Sequence, residues 1–95
     1  MYVGLYKLTE KGAADIKKAP ERVQDAIKAW EAMGGTTRVV LATMGRYDYV
    51  TVGEAPSDEV AAAFAMALSS QGFVTTETLR GFTPEECAAL LAKLP

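Results

Sequence analysis

"TTRVVLATMGRYDYVTVGEA", Thr36 to Ala55, holds two runs of strand-forming residues on either side of one glycine. Thr36–Met44 carries Val39, Val40, Leu41 and Ala42 in unbroken succession, the pattern of a strand covered on both faces. Gly45 is the sole turn-former before Arg46–Ala55, which reads as a second strand, so the spacing predicts a tight hairpin. What flanks this hairpin decides the fold.

Upstream, Tyr2–Leu8 ("YVGLYKL") is rich in β-formers and predicts a first strand. Thr9 caps a helix beginning "EKGAADIKK", which is punctuated at Ala19-Pro20 and resumes as the second part of a kinked helix. Its apolar stripe is Val23, Ala26, Ile27, Trp30 and Met33, and Gly34-Gly35 stops it. Downstream, Ser57 caps a helix with Asp58 and Glu59 in its first turn and Val60, Phe64, Ala67 and Leu68 turned inward. Gln71-Gly72 closes that helix, and Phe73–Phe82 forms a fourth strand. Thr83, Pro84 and Glu86 spell a capping box for a last helix, whose stripe of Cys87, Leu90, Leu91 and Leu94 predicts a buried, inert thiol.

The order strand–helix–strand–strand–helix–strand, plus a C-terminal helix, is the ferredoxin-like split βαβ arrangement of the α+β class, read here as a single domain over residues 1–95. Its four-stranded antiparallel sheet carries both crossover helices on one face, because such crossovers share a hand. The other face is then bare, and Val, Leu and Tyr side chains are too apolar to leave in water. A second copy of the chain is the expected cover, giving a homodimer or higher oligomer.

Composition removes several functions. With 10 basic and 12 acidic residues and no basic run, the chain lacks the footprint of nucleic-acid binding. It has no histidine, which eliminates imidazole ligands to metal or haem and imidazole-activated nucleophiles. Its single cysteine permits no internal disulfide. No apolar run reaches membrane-spanning length and "MYVGLYKLTEKG" lacks a signal-peptide pattern, so the cytoplasm is the expected location. No cofactor and no metal site is expected; Glu77 with Asp48 is too sparse a carboxylate pair for a cation.

The residue that stands out is Asp48, an acid inside a predicted strand. Alternation places Arg46, Asp48, Val50 and Val52 on one face and Tyr47, Tyr49 and Thr51 on the other. Asp48 is either a general acid or base in a pocket or a structural carboxylate satisfied by Arg46, Arg38, Arg80 or backbone N–H groups. Tyr47 and Tyr49, with Tyr2 and Tyr6, could wall a planar ligand or pack an interface. Thr76 and Arg80 share one face of the fourth strand and complete the candidate ligand-binding set of Arg46, Tyr47, Asp48, Thr76 and Arg80.

Gly45-x-Tyr47-Asp48 resembles the signature of the GYD-domain family, and the similarity extends through "KLTEKG", "APERV", the double glycine, "VGEAPSDEVAAAFAMALSSQG" and "TETLRGFTPEE". The resemblance implies a dimeric α+β-barrel protein, a group whose members bind small molecules between sheet and helices or at the subunit interface. It marks Gly45, Tyr47 and Asp48 without supplying a reaction. Three readings stand open: a small-molecule binding module with its pocket near Asp48; a cofactor-independent isomerase or monooxygenase with Asp48 moving a proton; and a structural assembly protein.

Overall fold

The computed structural model describes residues 1–95. Strand β1 spans Tyr2–Leu8; helix α1, Glu10–Ala14, runs through a single 3₁₀ turn at Ile16–Lys18 into α2, Ala19–Ala32. The hairpin strands follow as β2, Thr36–Ala42, and β3, Tyr49–Glu54. Helix α3, Asp58–Ser70, leads to β4, Val74–Arg80, and α4, Pro84–Leu91, is the last element. The sheet order is β2-β3-β1-β4 with every neighbouring pair antiparallel, which is the expected ferredoxin-like topology.

The element ends follow local chemistry. Thr9, Ser57 and Thr83 each accept a backbone N–H of the first turn, from Gly12, Val60 and Glu86 respectively. Pro20 occupies the first turn of α2, where its missing N–H costs nothing. After α2, Gly34 adopts φ +92°, a left-handed conformation that any side chain would strain.

Two expectations about the hairpin are corrected. β3 begins at Tyr49 and not at Arg46, and Thr43–Asp48 forms a loop in place of a tight turn. The reason lies in polar bonds inside the loop: Thr43 gives its N–H to the Asp48 carbonyl at 2.8 Å and its hydroxyl to the Tyr47 carbonyl at 2.6 Å. Arg46, Tyr47 and Asp48 are therefore outside the pleat, and strand alternation does not govern them.

Register assigns the two sheet faces. Tyr2 lies between Gly53 and Arg80, Gly4 between Thr51 and Thr78, and Tyr6 between Tyr49 and Thr76, all on the face beneath α2 and α3. A bulge at Arg38 shifts β2 by one residue, so that Thr37 and Val40 both reach this face. The opposite face presents Val3, Leu5, Val39, Leu41, Val50, Val52 and Leu79, and no element of the chain covers it. Leu41 is 54% exposed and Val39 41%, so the apolar run of β2, an edge strand, is covered on one side only within a single chain.

Packing between sheet and helices is thin. Eight of 95 residues are buried, and four of them are the glycines Gly4, Gly12, Gly35 and Gly53. Two large side chains are buried, Tyr2 on the sheet and Trp30 on α2, and Trp30 is the one that ties helix to sheet. Its indole N–H donates to the Thr36 carbonyl at 3.0 Å and its ring meets Phe64 edge-on at 5.0 Å. A methyl group on Gly35 would sit 2.5 Å from that ring, and one on Gly53 would sit 2.5 Å from the Thr36 carbonyl oxygen, so the indole occupies a slot made by two missing side chains.

Helix α4 departs from expectation. It buries none of its residues, and Cys87 is exposed and free. The stripe that predicted an inward thiol is present, but the chain folds nothing against it; Leu90, Leu91 and Leu94 remain 46%, 59% and 66% exposed. What holds α4 locally is its capping box, in which the Glu86 carboxylate accepts the Thr83 N–H at 2.9 Å. That bond, foremost among the causes, holds the Glu86 carboxyl below the ordinary carboxylate range.

Two outcomes are expected. Gly53→Ala pushes Thr36 and Trp30 apart and costs about 1–3 kcal/mol in a denaturant titration, as overpacking does; an unchanged midpoint contradicts the slot. Because the Glu86 pKa is depressed on folding, its contribution is full above the unfolded value and lost as pH falls through the lower folded one. Amide protection in α4 therefore persists through mild acid and fails only below the usual carboxylate range; loss already in mild acid contradicts the capping assignment.

Candidate functional site

Because the helices stand on Trp30 and on glycines, the space beneath them is not filled. A cavity of about 130 Å³ lies between the sheet and helices α2 and α3. Its floor is Tyr2, Gly4 and Tyr6 of β1 with Tyr49, Thr51 and Gly53 of β3. Val23, Ala26, Ile27 and Trp30 of α2 form one wall, and Ala61, Phe64 and Leu68 of α3 the other. The predicted stripe of α2 thus faces the chamber over most of its length.

Polar groups are few and placed at two levels. On the floor, Tyr6 folds back across Gly4, where a methyl group would collide with its phenol oxygen, and reaches the Thr51 hydroxyl at 3.3 Å. Burial pushes the Tyr6 phenol above its ordinary pKa, with the Thr51 bond opposing it in part. At the rim, where the chamber meets a groove between α2 and α3, stand Arg22, Gln71 and Phe73. Arg22 lies against the Phe73 ring at 4.3 Å and is tied to the Asp15 carboxylate at 3.2 Å. Its second amino group donates to the carbonyls of Asp15, 3.1 Å, and Gly12, 3.4 Å.

None of the five residues marked from sequence lines this chamber. Asp48 sits at its end and works on the backbone: the carboxylate accepts the Leu8 N–H at 2.7 Å while its own N–H donates to the Tyr6 carbonyl at 2.8 Å. Of the partners weighed for this carboxylate, the bond found is to backbone N–H, from β1. Tyr47 reaches over the open face, its hydroxyl donating to Glu77 at 2.6 Å, a bond that more than any other cause raises the phenol pKa. Arg46 is exposed in the loop, and Thr76 shares a hydroxyl bond with Ser69 at 3.0 Å.

Arg80 stands at the far end of the sheet, opposite Tyr2. It pairs with Asp58 at 3.5 Å and lies against the rings of Tyr2 and Phe82. Asp58 also accepts the Tyr2 hydroxyl, which is the main cause that raises the Tyr2 pKa. Asp48 and Arg80 are therefore held at opposite ends of β1. The site residues that sequence reading does not single out are Gly4, Arg22, Trp30 and Thr51. Of the four tyrosines weighed from sequence, Tyr2, Tyr6 and Tyr49 line the chamber and Tyr47 does not.

The chamber has no carboxylate, lysine, serine or cysteine in its lining. Its titratable side chains are three tyrosines and one arginine. An apolar lining with few polar groups of this kind can hold a molecule.

A family model described as GYD domain matches residues 2–91. A protein of Thermus thermophilus, named glutamine synthetase and cystathionine beta-lyase binding protein, is 36% identical over 95 residues, spanning 98% of this chain and 96% of that one. No solved structure matches the chain.

Asp48→Ala removes a charged acceptor from a half-buried N–H, so it is expected to cost about 1.5–3 kcal/mol in thermal or chemical unfolding. Asp48→Asn keeps a neutral acceptor and loses less. Equal stability of Asp48→Ala and the parent would free the carboxylate for another role.

Proposed function

As the chain belongs to the GYD-domain family, we propose that it is a binding protein and not a catalyst, one that docks on metabolic enzymes as a self-paired unit. The observation that carries this reading is the engagement of its one conspicuous acid: Asp48 spends its carboxylate on the Leu8 N–H and is not part of the chamber lining. The enzyme alternative requires that group to face a bound substrate. Tyr47, at the other side of the same loop, bridges to Glu77 and supports the same conclusion.

Self-pairing rests on the uncovered sheet face. Val3, Leu5, Val39, Leu41, Val50, Val52 and Leu79 form one apolar surface, with Val39, Leu41 and Leu79 left 41–54% exposed, and a contiguous patch of this kind favours a partner. A second copy offers the same surface and buries both, giving a homodimer with the helices outward. The paired unit then presents its loops, helices and α4 to an enzyme. Glutamine synthetase and cystathionine β-lyase, the partners in the relative's name, are the enzymes to try first. No helix is long and apolar enough to cross a membrane, and we place the protein in the cytoplasm, where an exposed free thiol such as Cys87 stays reduced.

A second reading is favoured by the chamber itself, which supports a small organic molecule held between sheet and helices. Asp48 then serves that site from behind, fixing the ends of β1 and β3 that carry Tyr6, Leu8 and Tyr49 to its wall.

Sedimentation velocity tests the primary reading. The protein is expected to run as a dimer or a multiple of it, and to share a boundary with at least one of the two enzymes from its own source. Leu41→Glu, at a half-exposed position, is expected to yield a folded monomer. A parent protein that is monomeric at tens of micromolar, or that leaves both enzymes unshifted, contradicts the proposal.

A further inference from the structure

We propose that the chamber selects an uncharged molecule with a flat apolar body and one hydroxyl or carbonyl group, the chemistry of phenols and aryl ketones. This rests on the small-molecule reading of the chamber and names the class of its ligand.

Charge is excluded in both signs by the lining. An ammonium would enter a space with no carboxylate on its walls. A carboxylate would find Arg22 as the one cation, at the rim, with its two amino groups already engaged by Asp15 and two backbone carbonyls. To use Arg22, an anion must displace Asp15 in a groove that Glu21, Asp25 and one further cation, Lys18, flank, where acids outnumber bases. Deeper in, it would lose its hydration with no counter-charge in reach.

The body of the ligand is set by Trp30 and Phe64, which meet edge to face and offer a flat ring an aromatic surface beside the aliphatic wall of α2. Its polar group is set by the floor. Gly4 is flanked in register by Thr51 and Thr78, and the Tyr6 phenol lies across it. Three hydroxyls therefore surround one residue without a side chain. The Tyr6–Thr51 contact, at 3.3 Å, is long for a hydroxyl pair, so each group has capacity for a ligand oxygen on its chamber side, above the floor that the two hydroxyls close over Gly4.

Three probes of one shape separate the alternatives: 2-naphthol, 2-naphthoate and naphthalene, titrated into the full chain by calorimetry at pH 7, with the site mapped from backbone amide shifts of Gly4, Tyr6 and Thr51. 2-Naphthol is expected to bind at least about tenfold tighter than 2-naphthoate, the cost of an unpaired charge. Tyr6→Phe is expected to weaken 2-naphthol by about threefold to tenfold and leave naphthalene unchanged. Thr51→Val makes the same test should Tyr6→Phe not fold. Tighter binding of 2-naphthoate overturns the neutral class while leaving the chamber a binding site. Equal affinity for naphthalene and 2-naphthol, or indifference to both variants, overturns the role of the hydroxyl floor. Failure of all three probes to shift the chamber amides overturns the small-molecule reading itself.

Discussion

Asp48 binds three strands into one sheet end. Its carbonyl receives the Thr43 N–H from the β2 side, its N–H reaches the Tyr6 carbonyl, and its carboxylate takes the N–H of Leu8 on β1. A neutral side chain of similar size would leave the Leu8 donor with a weaker partner, and an alanine would leave it with none. The geometry of everything nearby follows: the direction in which β3 leaves the loop, the placement of Tyr6 and Tyr49 on the chamber side, and the sweep of Tyr47 across the opposite face to Glu77. The carboxylate is thus engaged with the backbone of β1, and our proposal of a binding role starts from that engagement.

The sheet it clasps has two faces with different fates. On one side α2 and α3 are propped by Trp30, whose slot exists because Gly35 and Gly53 lack side chains, and the space left between the props is the chamber. On the other side no helix or strand of this chain packs, and only Tyr47 reaches across it, to Glu77. A chain of 95 residues has little surface to spare for such economy. With eight residues buried and no large side chain fully enclosed, its own core is small, and association is the natural source of the missing apolar burial. The exposed stripe of α4 fits the same picture: its helix is secured by capping chemistry and not by packing.

Much of this was legible in the sequence because it is written in local signals. Thr9, Ser57 and the Thr83–Glu86 box mark helix starts, and Gly34 and Gly72 sit at positive φ where helices end. The α2 stripe from Val23 to Trp30 was visible as periodicity, and with the strand order it was enough for the topology. The hairpin was harder. "MGRYDYV" has the composition of a strand, and only the bonds from Thr43 to the Tyr47 and Asp48 carbonyls, which depend on how two strands meet in space, withdraw it into a loop. The candidate site shows the same division. Asp48 was conspicuous as an acid among β-formers, yet its partner is a backbone N–H forty positions away, invisible to residue pattern. The chamber residues are conspicuous only together: small glycines opposite large aromatics, and a bulge at Arg38 that brings Thr37 and Val40 to one side. Cys87 was misplaced because an apolar stripe predicts a covered face without saying which chain covers it.

The central proposal is that this chain is a binding protein that pairs through its open sheet face to dock on enzymes, with the chamber as a second, small-molecule site. Native mass spectrometry of freshly purified protein tests it most directly, since one spectrum reports subunit number and any retained molecule. The account predicts a dimer or a multiple of it, with an added mass of a small organic compound that is released on unfolding. A bare monomer at micromolar concentration, with no added mass, would contradict it.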